Sequence, residues 1–106
     1  MTELTYYPIC STEDLPAGER LFIDLDDEPV VIFNIAGNYY AIADVCTHDM
    51  GSLGEGEVEG HQIICPRHGE RFDIRTGEVL TLPAVKGVPS CPVRVVDGMV
   101  EIGVEE

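Results

Sequence analysis

Two short stretches carry a cysteine and a histidine almost side by side. They are Cys46-Thr47-His48 and Cys65-Pro66-Arg67-His68, with 16 residues between them. Two thiolates and two imidazoles make a complete four-ligand set, and two metal chemistries use such a set. One is a single Zn²⁺ held by two Cys and two His. The other is a two-iron, two-sulfide cluster with Cys on one iron and His on the other. Spacing separates them. Tetrahedral zinc sites take their close pairs as Cys with Cys and His with His, roughly two to five residues apart. Here each stretch offers one thiolate and one imidazole. The single residue between Cys46 and His48 would strain both onto one small ion. It suits two metal centres a few ångströms apart, with each stretch giving one ligand to each iron.

The elements that must hold these stretches read as short strands. Arg20 to Leu25 is one. Pro29 to Ile35, rich in β-branched and aromatic residues, is a central one. A turn at Gly37-Asn38 leads into Tyr39 to Ala43, and His61 to Ile64 runs into Cys65. Asp97-Gly98 between Val93–Val96 and Met99–Val104 is a strong hairpin signal. Ser11-Thr12-Glu13-Asp14 resembles a capping box, but Pro16 and Gly18 limit any helix to about one turn. Cys46 to Gly60, Cys65 to Gly69 and Leu82 to Pro92 read as irregular. Within the first of these, Glu55, Glu57 and Glu59 alternate as one solvated strand face would. The pattern predicts an all-β chain, a small antiparallel barrel or sandwich with function on its long loops.

Length and charge exclude other classes. The 106 residues suit one domain with one core. No apolar run approaches the ~20 residues of a membrane span. The N-terminus, Met1-Thr-Glu-Leu-Thr-Tyr6, lacks the basic and apolar regions of a secretory signal, so a cytoplasmic location is expected. Four cysteines in a chain of this size point to metal or redox use rather than a disulfide scaffold. Twenty acids against six bases give −14, which makes nucleic acid and anionic lipid poor partners. Residues 1–66 hold 13 acids and one base, Arg20, while Arg67, Arg71 and Arg75 gather around His68. That asymmetry points to steering towards a basic protein, with the less negative region near His68.

Cys-Thr-His at 46–48 and Cys-Pro-Arg-His-Gly at 65–69, followed by Phe72-Asp73 and Thr76-Gly77, resemble the paired motifs of the Rieske [2Fe–2S] family. The resemblance covers most of the chain. By size it is most similar to the soluble ferredoxin components of bacterial multicomponent aromatic-ring dioxygenases. The resemblance implies a single Rieske domain over 1–106, with a cluster-binding loop subdomain inserted at about 45–75. It implies one [2Fe–2S] cluster, with Cys46 and Cys65 on one iron and His48 and His68 on the other, nearer the surface. The stretch from Pro83 to Pro89 would match the family's proline loop over the cluster. It further implies a monomeric one-electron carrier between a flavin-containing NAD(P)H reductase and a terminal non-haem iron dioxygenase, not catalytic alone.

Departures from the pattern carry their own expectations. Cytochrome bc-type members have two further cysteines, joined by a disulfide, where this chain has Gly51 and Arg67. They also place a Ser and a Tyr, which donate hydrogen bonds to cluster sulfurs, where this chain has Glu70 and Phe72. Histidine ligation raises the potential above that of all-Cys clusters, and missing donors lower it. The expectation is the low end of the Rieske range, roughly −150 mV. Cys10 and Cys91 read as small buried hydrophobes, and His61 as an exposed strand-end residue. An oxygenase site needs two further His and a carboxylate, and only one His is left over. Two other readings stand beside the carrier. One is a Rieske-type small subunit of another redox enzyme, such as a nitrite-reductase-like complex. The other is a Cys₂His₂ zinc module for protein contacts.

Overall fold

The β-branched runs pair with their neighbours wherever a two-residue turn lets them. The structure is a computed structural model that describes residues 3–47, 50–82, 84 and 86–105. Among them are ten strands: β1 Leu4–Ser11, β2 Arg20–Leu25, β3 Glu28–Ile35, β4 Asn38–Ala43, β5 Glu57–Glu59, β6 Gln62–Ile64, β7 Arg71–Asp73, β8 Ser90–Cys91, β9 Val93–Val96 and β10 Met99–Glu105. The capping-box segment makes only a 3₁₀ turn, Thr12–Asp14. The all-β expectation holds. No helix of the described residues is long and apolar enough to cross a membrane.

The strands form three antiparallel sheets in the orders β1-β10-β9, β2-β3-β4-β8 and β5-β6-β7. They do not close into a barrel among the described residues, and the layers stack like a sandwich. Three hairpins turn on pairs with positive φ: Asp26-Asp27, Ala36-Gly37 and Asp97-Gly98. These are the angles that match the right-handed strand twist. The second turn falls one residue earlier than the sequence suggested. Gly98, at φ 75°, is the position whose chemistry announced its turn.

β3 organises the rest. Val30, Val31, Ile32, Phe33 and Asn34 are all buried, so both faces of this strand are covered. Val30 and Ile32 point into one apolar cluster with Leu15, Ala41 and Ile102, against the β1-β10-β9 sheet. Val31 and Phe33 point the other way, into a second cluster with Ile42, Ile63, Phe72 and Ile74. Each such side chain contributes roughly 1.5–3 kcal/mol on burial. The second cluster also contains Cys46 and Cys65. The sulfur-bearing loops are thus seated on one face of β3 and β4, while the remaining sheet buttresses the opposite face.

Three local expectations need correction. The stretch from Cys46 to Gly60 is not all loop, because Glu57–Glu59 pairs with Gln62–Ile64. Glu57 and Glu59 face solvent there, as their alternation suggested, with Val58 turned towards the core. The stretch from Leu82 to Pro92 contains β8, whose Cys91 and Ser90 pair with Ala41 and Ile42. Cys10 and Cys91 are free thiols and only partly buried. Burial still pushes both thiols above the usual range, with Asp14 adding to the shift at Cys10.

Candidate metal centre

The first loop leaves β4 under tight restraint. Ala43 N–H donates to the Pro89 carbonyl and Asp44 N–H to the Pro29 carbonyl, each at 2.9 Å. Asp44 Oδ1 then accepts from Ser52 Oγ at 2.9 Å and Gly54 N–H at 2.6 Å, closing the loop's far side. Arg20, the single base of residues 1–66, braces the exit. Its Nη1 donates to the carbonyls of Gly54 at 2.5 Å and Gly56 at 2.6 Å. Gly56 has no room for a side chain, since a Cβ would stand 1.7 Å from the Ile64 carbonyl oxygen. The loop therefore presses directly on the strand that delivers Cys65.

The two cysteine loops share one backbone plan. In the first, Cys46 N–H donates to Gly51 O at 2.8 Å and Met50 N–H donates to Cys46 O at 2.7 Å. In the second, Cys65 N–H donates to Glu70 O at 2.8 Å and Gly69 N–H donates to Cys65 O at 3.0 Å. Met50 and Gly69 hold equivalent places, and both have positive φ, 64° and 76°. For a methionine that conformation is uncommon and costs energy, so the loop around it must impose it.

These loops bring Cys46 and Cys65 together, 0% and 1% exposed. His68 stands beside them with its side chain 41% exposed. His48 lies outside the described residues. His61, the remaining histidine, packs edge-on against Tyr40 with ring centroids 5.8 Å apart, so it is a partly buried packing residue rather than an exposed strand end. Gly51 and Arg67, where the bc-type pattern has its extra cysteines, lie in direct contact. Two described residues tie in the chain that follows Leu82: Thr47 Oγ1 donates to Lys86 O at 2.5 Å, and Val88 N–H donates to Gly77 O at 2.8 Å. Ala84 and Val88 fill the same apolar cluster as the cysteines. Pro83 lies outside the described residues.

Sequence reasoning missed Glu70. It reads there as a position without a donor, yet the side chain is fully buried between the two thiols. The Cys46 thiol donates to Glu70 Oε1 at 3.6 Å, and His68 Nδ1 lies 3.8 Å from the same oxygen. Oε2 is buried with no hydrogen-bond partner among the described residues. One signal was available: Glu70 directly follows Cys-Pro-Arg-His-Gly, inside the loop rather than beyond it. Burial pushes the Glu70 carboxyl up, but hydrogen bonds from the Cys65 and Cys46 thiols outweigh it, and the net shift is downward. Cys65 is pushed up to about 11, first by burial and then by its bond to Glu70. In the metal-free chain it is a thiol at neutral pH, and metal binding must release that proton.

The donor chemistry fits an iron–sulfur group. Donor atoms of Cys46, Cys65 and Glu70 all lie within 4.8 Å of one another. Two thiolates on one tetrahedral ion sit roughly 3.8 Å apart, from a metal–sulfur bond of about 2.3 Å. One metal ion can therefore take both sulfurs. The buried sulfurs and half-exposed imidazole give the site an inner and an outer side. The orphaned Oε2 marks the inner side as polar, as a site for a charged inorganic group must be.

Comparison with known proteins agrees with that chemistry. A family model described as the Rieske [2Fe-2S] domain matches residues 5–92. The chain is 39% identical over 99 residues to the 3-phenylpropionate/cinnamic acid dioxygenase ferredoxin subunit of Escherichia coli (strain K12), covering 92% of each. It is similar to the ferredoxin of carbazole 1,9a-dioxygenase from Nocardioides aromaticivorans IC177, with a TM-score of 0.86 and 29% identity over 92% of this chain and 96% of that one. It also matches a solved complex of reduced oxygenase and oxidized ferredoxin in carbazole 1,9a-dioxygenase, with a TM-score of 0.85, 28% identity, and coverage of 92% and 91%.

Proposed function

The chain belongs to the Rieske [2Fe–2S] domain family, and on that premise we propose that it is a soluble one-electron carrier serving a terminal non-haem iron dioxygenase. When bound, the [2Fe–2S] cluster supplies reversible one-electron transfer. The chain's own residues hold it and expose one side of it. Cys46 and Cys65 would hold one iron, and His48 and His68 the other. The observation that carries this reading is the contrast between two fully buried sulfurs and a half-exposed imidazole in one family-matched site. A carrier needs that polarity, because its redox group must be shielded from water yet reach a partner.

The whole of 1–106 acts as one domain, with residues 45–75 as its cluster-binding part. It works as a monomer in the cytoplasm. A flavoprotein NAD(P)H reductase supplies its electrons, and the terminal oxygenase takes them, as the solved relative in complex with an oxygenase suggests. The chain is not catalytic alone: two of its three histidines are engaged as ligands, and no 2-His-1-carboxylate iron site can be assembled from the third.

Charge shapes how it meets partners. Arg71 pairs with Glu59 at 3.2 Å and Arg75 with Asp73 at 3.0 Å, so two of the three arginines near His68 are already balanced. The acidic β2–β3 turn comes close to the site, because Glu28 lines the same groove as Thr47, Met50 and Lys86. Met50, 73% exposed, supplies an apolar point of contact there. A partly apolar patch beside that acidic turn suits a basic partner surface, met in a small and transient encounter. Stopped-flow mixing with the reduced reductase tests both the function and the steering. The protein should be reduced by one electron per chain, and the association rate should fall several-fold from low to physiological salt. Neutralising Asp24, Asp26, Asp27 and Glu28 together should flatten that salt dependence. A protein that takes no electron from the reductase contradicts the carrier reading, and a rate indifferent to salt leaves the −14 charge a solubility feature.

A further inference from the structure

Arg67 lies on the second ligand loop, between Cys65 and His68, but its side chain reaches across to the first. Its Nη2 donates to the Ser52 carbonyl at 3.0 Å. The same guanidinium covers Gly51, where a Cβ would lie 2.6 Å from Cζ, 2.7 Å from Nη2 and 3.0 Å from Nε. Gly51 is not among the residues with positive φ. What this position requires is therefore space, not the backbone freedom for which glycine is usually needed. Gly51 also holds a ligand directly, since its carbonyl accepts the Cys46 N–H at 2.8 Å. A flat group anchored between Cys65 and His68 is thus seated on the residue that fixes the backbone of Cys46.

We propose that Arg67 is a positioning residue that clasps the two ligand loops together, with Gly51 as its seat. The inference rests on the ligand assignment above and adds to it what keeps the loops in register. Chemistry favours arginine for the task. Its planar fork lies flat on a peptide and still donates sideways, whereas a lysine ammonium offers a point charge on a flexible stem. The contact joins segments 16 residues apart in sequence and ties down a loop whose Met50 is held at positive φ. Without it, the first loop keeps Asp44 and Arg20 at its far end and the Cys46–Glu70 bond within, but loses the hydrogen bond that ties its Ser52 backbone to the Cys65–His68 turn.

A double-mutant cycle on the intact protein tests the clasp. The variants are Arg67→Ala, Gly51→Ala and the pair together, with Arg67→Lys as the conservative replacement. The readouts are the rate at which visible absorbance is lost to an iron chelator and the EPR line positions of the reduced protein. Arg67→Ala should lose its cluster about ten-fold faster, the scale of one charge-assisted hydrogen bond. Gly51→Ala should be at least as impaired, because the new methyl displaces the guanidinium. The double variant should be no worse than Arg67→Ala, since the space is then vacant, and Arg67→Lys should recover only part of the loss. EPR lines should move in Arg67→Ala and stay put in Arg94→Ala, a control whose partner Glu101 lies in the β1-β10-β9 sheet. If Gly51→Ala cannot hold a cluster, recovery in the double variant still supports the clasp, and failure of both overturns it. Effects that multiply in the double variant, or unmoved lines in Arg67→Ala, also overturn it. Absence of cluster absorbance in the wild-type protein would instead overturn the ligand assignment. In that event the same cycle read by thermal unfolding decides the clasp, with coupling supporting it and additivity overturning it.

Discussion

Cys65→Ala protein is expected to be colourless, with no iron retained through purification. Cys65 is 1% exposed and sits in the apolar cluster with Ile63, Phe72 and Val31. Its thiolate is one of two buried sulfurs close enough to share a metal ion. On the proposed assignment, losing one of them would leave one iron with half its protein ligands. Metal binding in such sites is also folding free energy, because the preformed site does not exist in the unfolded chain. The loss should not spread evenly. The apolar cluster of Leu15, Val30, Ile32, Ala41 and Ile102 touches neither cysteine loop. Far-UV circular dichroism should therefore report retained strands, while hydrogen exchange accelerates across residues 46–54 and 65–70. Cys65→Ser, which keeps the volume but is a poor thiolate substitute, should behave like alanine in colour. A folded, brown Cys65→Ala protein with two irons would show that the ligand is another residue.

Glu70→Gln should raise the midpoint potential, by an amount on the order of 100 mV. The carboxyl is fully buried and its Oε1 is 3.6 Å from the Cys46 sulfur, so a charge on it would stand directly beside the metal site. A fixed negative charge beside a redox group opposes the arrival of an electron. At roughly 5 Å and an effective dielectric constant of about 20, one unit charge is worth about 3 kcal/mol. For a one-electron couple that is on the order of 100 mV. Glutamine keeps the shape and removes the charge. The measurement is a spectroelectrochemical titration of both proteins at one pH. A potential unchanged or lowered in Glu70→Gln would mean that the carboxyl carries a proton when the cluster is bound. It would then act as the donor that this position was expected to lack. The wild-type value is expected near the low end of the Rieske range, roughly −150 mV.

The candidate ligands were legible because ligand chemistry is local. Cys-Thr-His and Cys-Pro-Arg-His announce themselves by residue type and spacing, and no packing is needed to read them. β3 was legible for a related reason: a run from Pro29 to Ile35 with so little polarity must be covered on both faces, and it is. What escaped depends on contacts distant in sequence. β1 was not expected, since Pro8 interrupts it and the pairing with β10 slips between Pro8 and Cys10. Proline at such an irregularity on a sheet edge is tolerated, but in a sequence it reads as a break. β7, three residues long, is too short for alternation to show above chance, whereas β6 was expected as His61 to Ile64 and β5 showed only in the alternation of Glu55, Glu57 and Glu59. Glu70 escaped because an acid flanked by Gly69 and Arg71 reads as a solvated residue. Only the fold shows it enclosed between two thiols. The common plan of the two ligand loops was equally hidden, because it is written in backbone hydrogen bonds while His48 and His68 sit at different offsets from their cysteines.

The metal itself separates a redox carrier from a zinc-bound contact module most directly. Protein purified from its native cells should be assayed for iron, zinc and acid-labile sulfide, and its EPR spectrum recorded after reduction with dithionite. Two irons and two sulfides per chain, with a rhombic signal that appears only on reduction, are the predicted result. Stoichiometric zinc without iron or sulfide, and a silent spectrum, would contradict it.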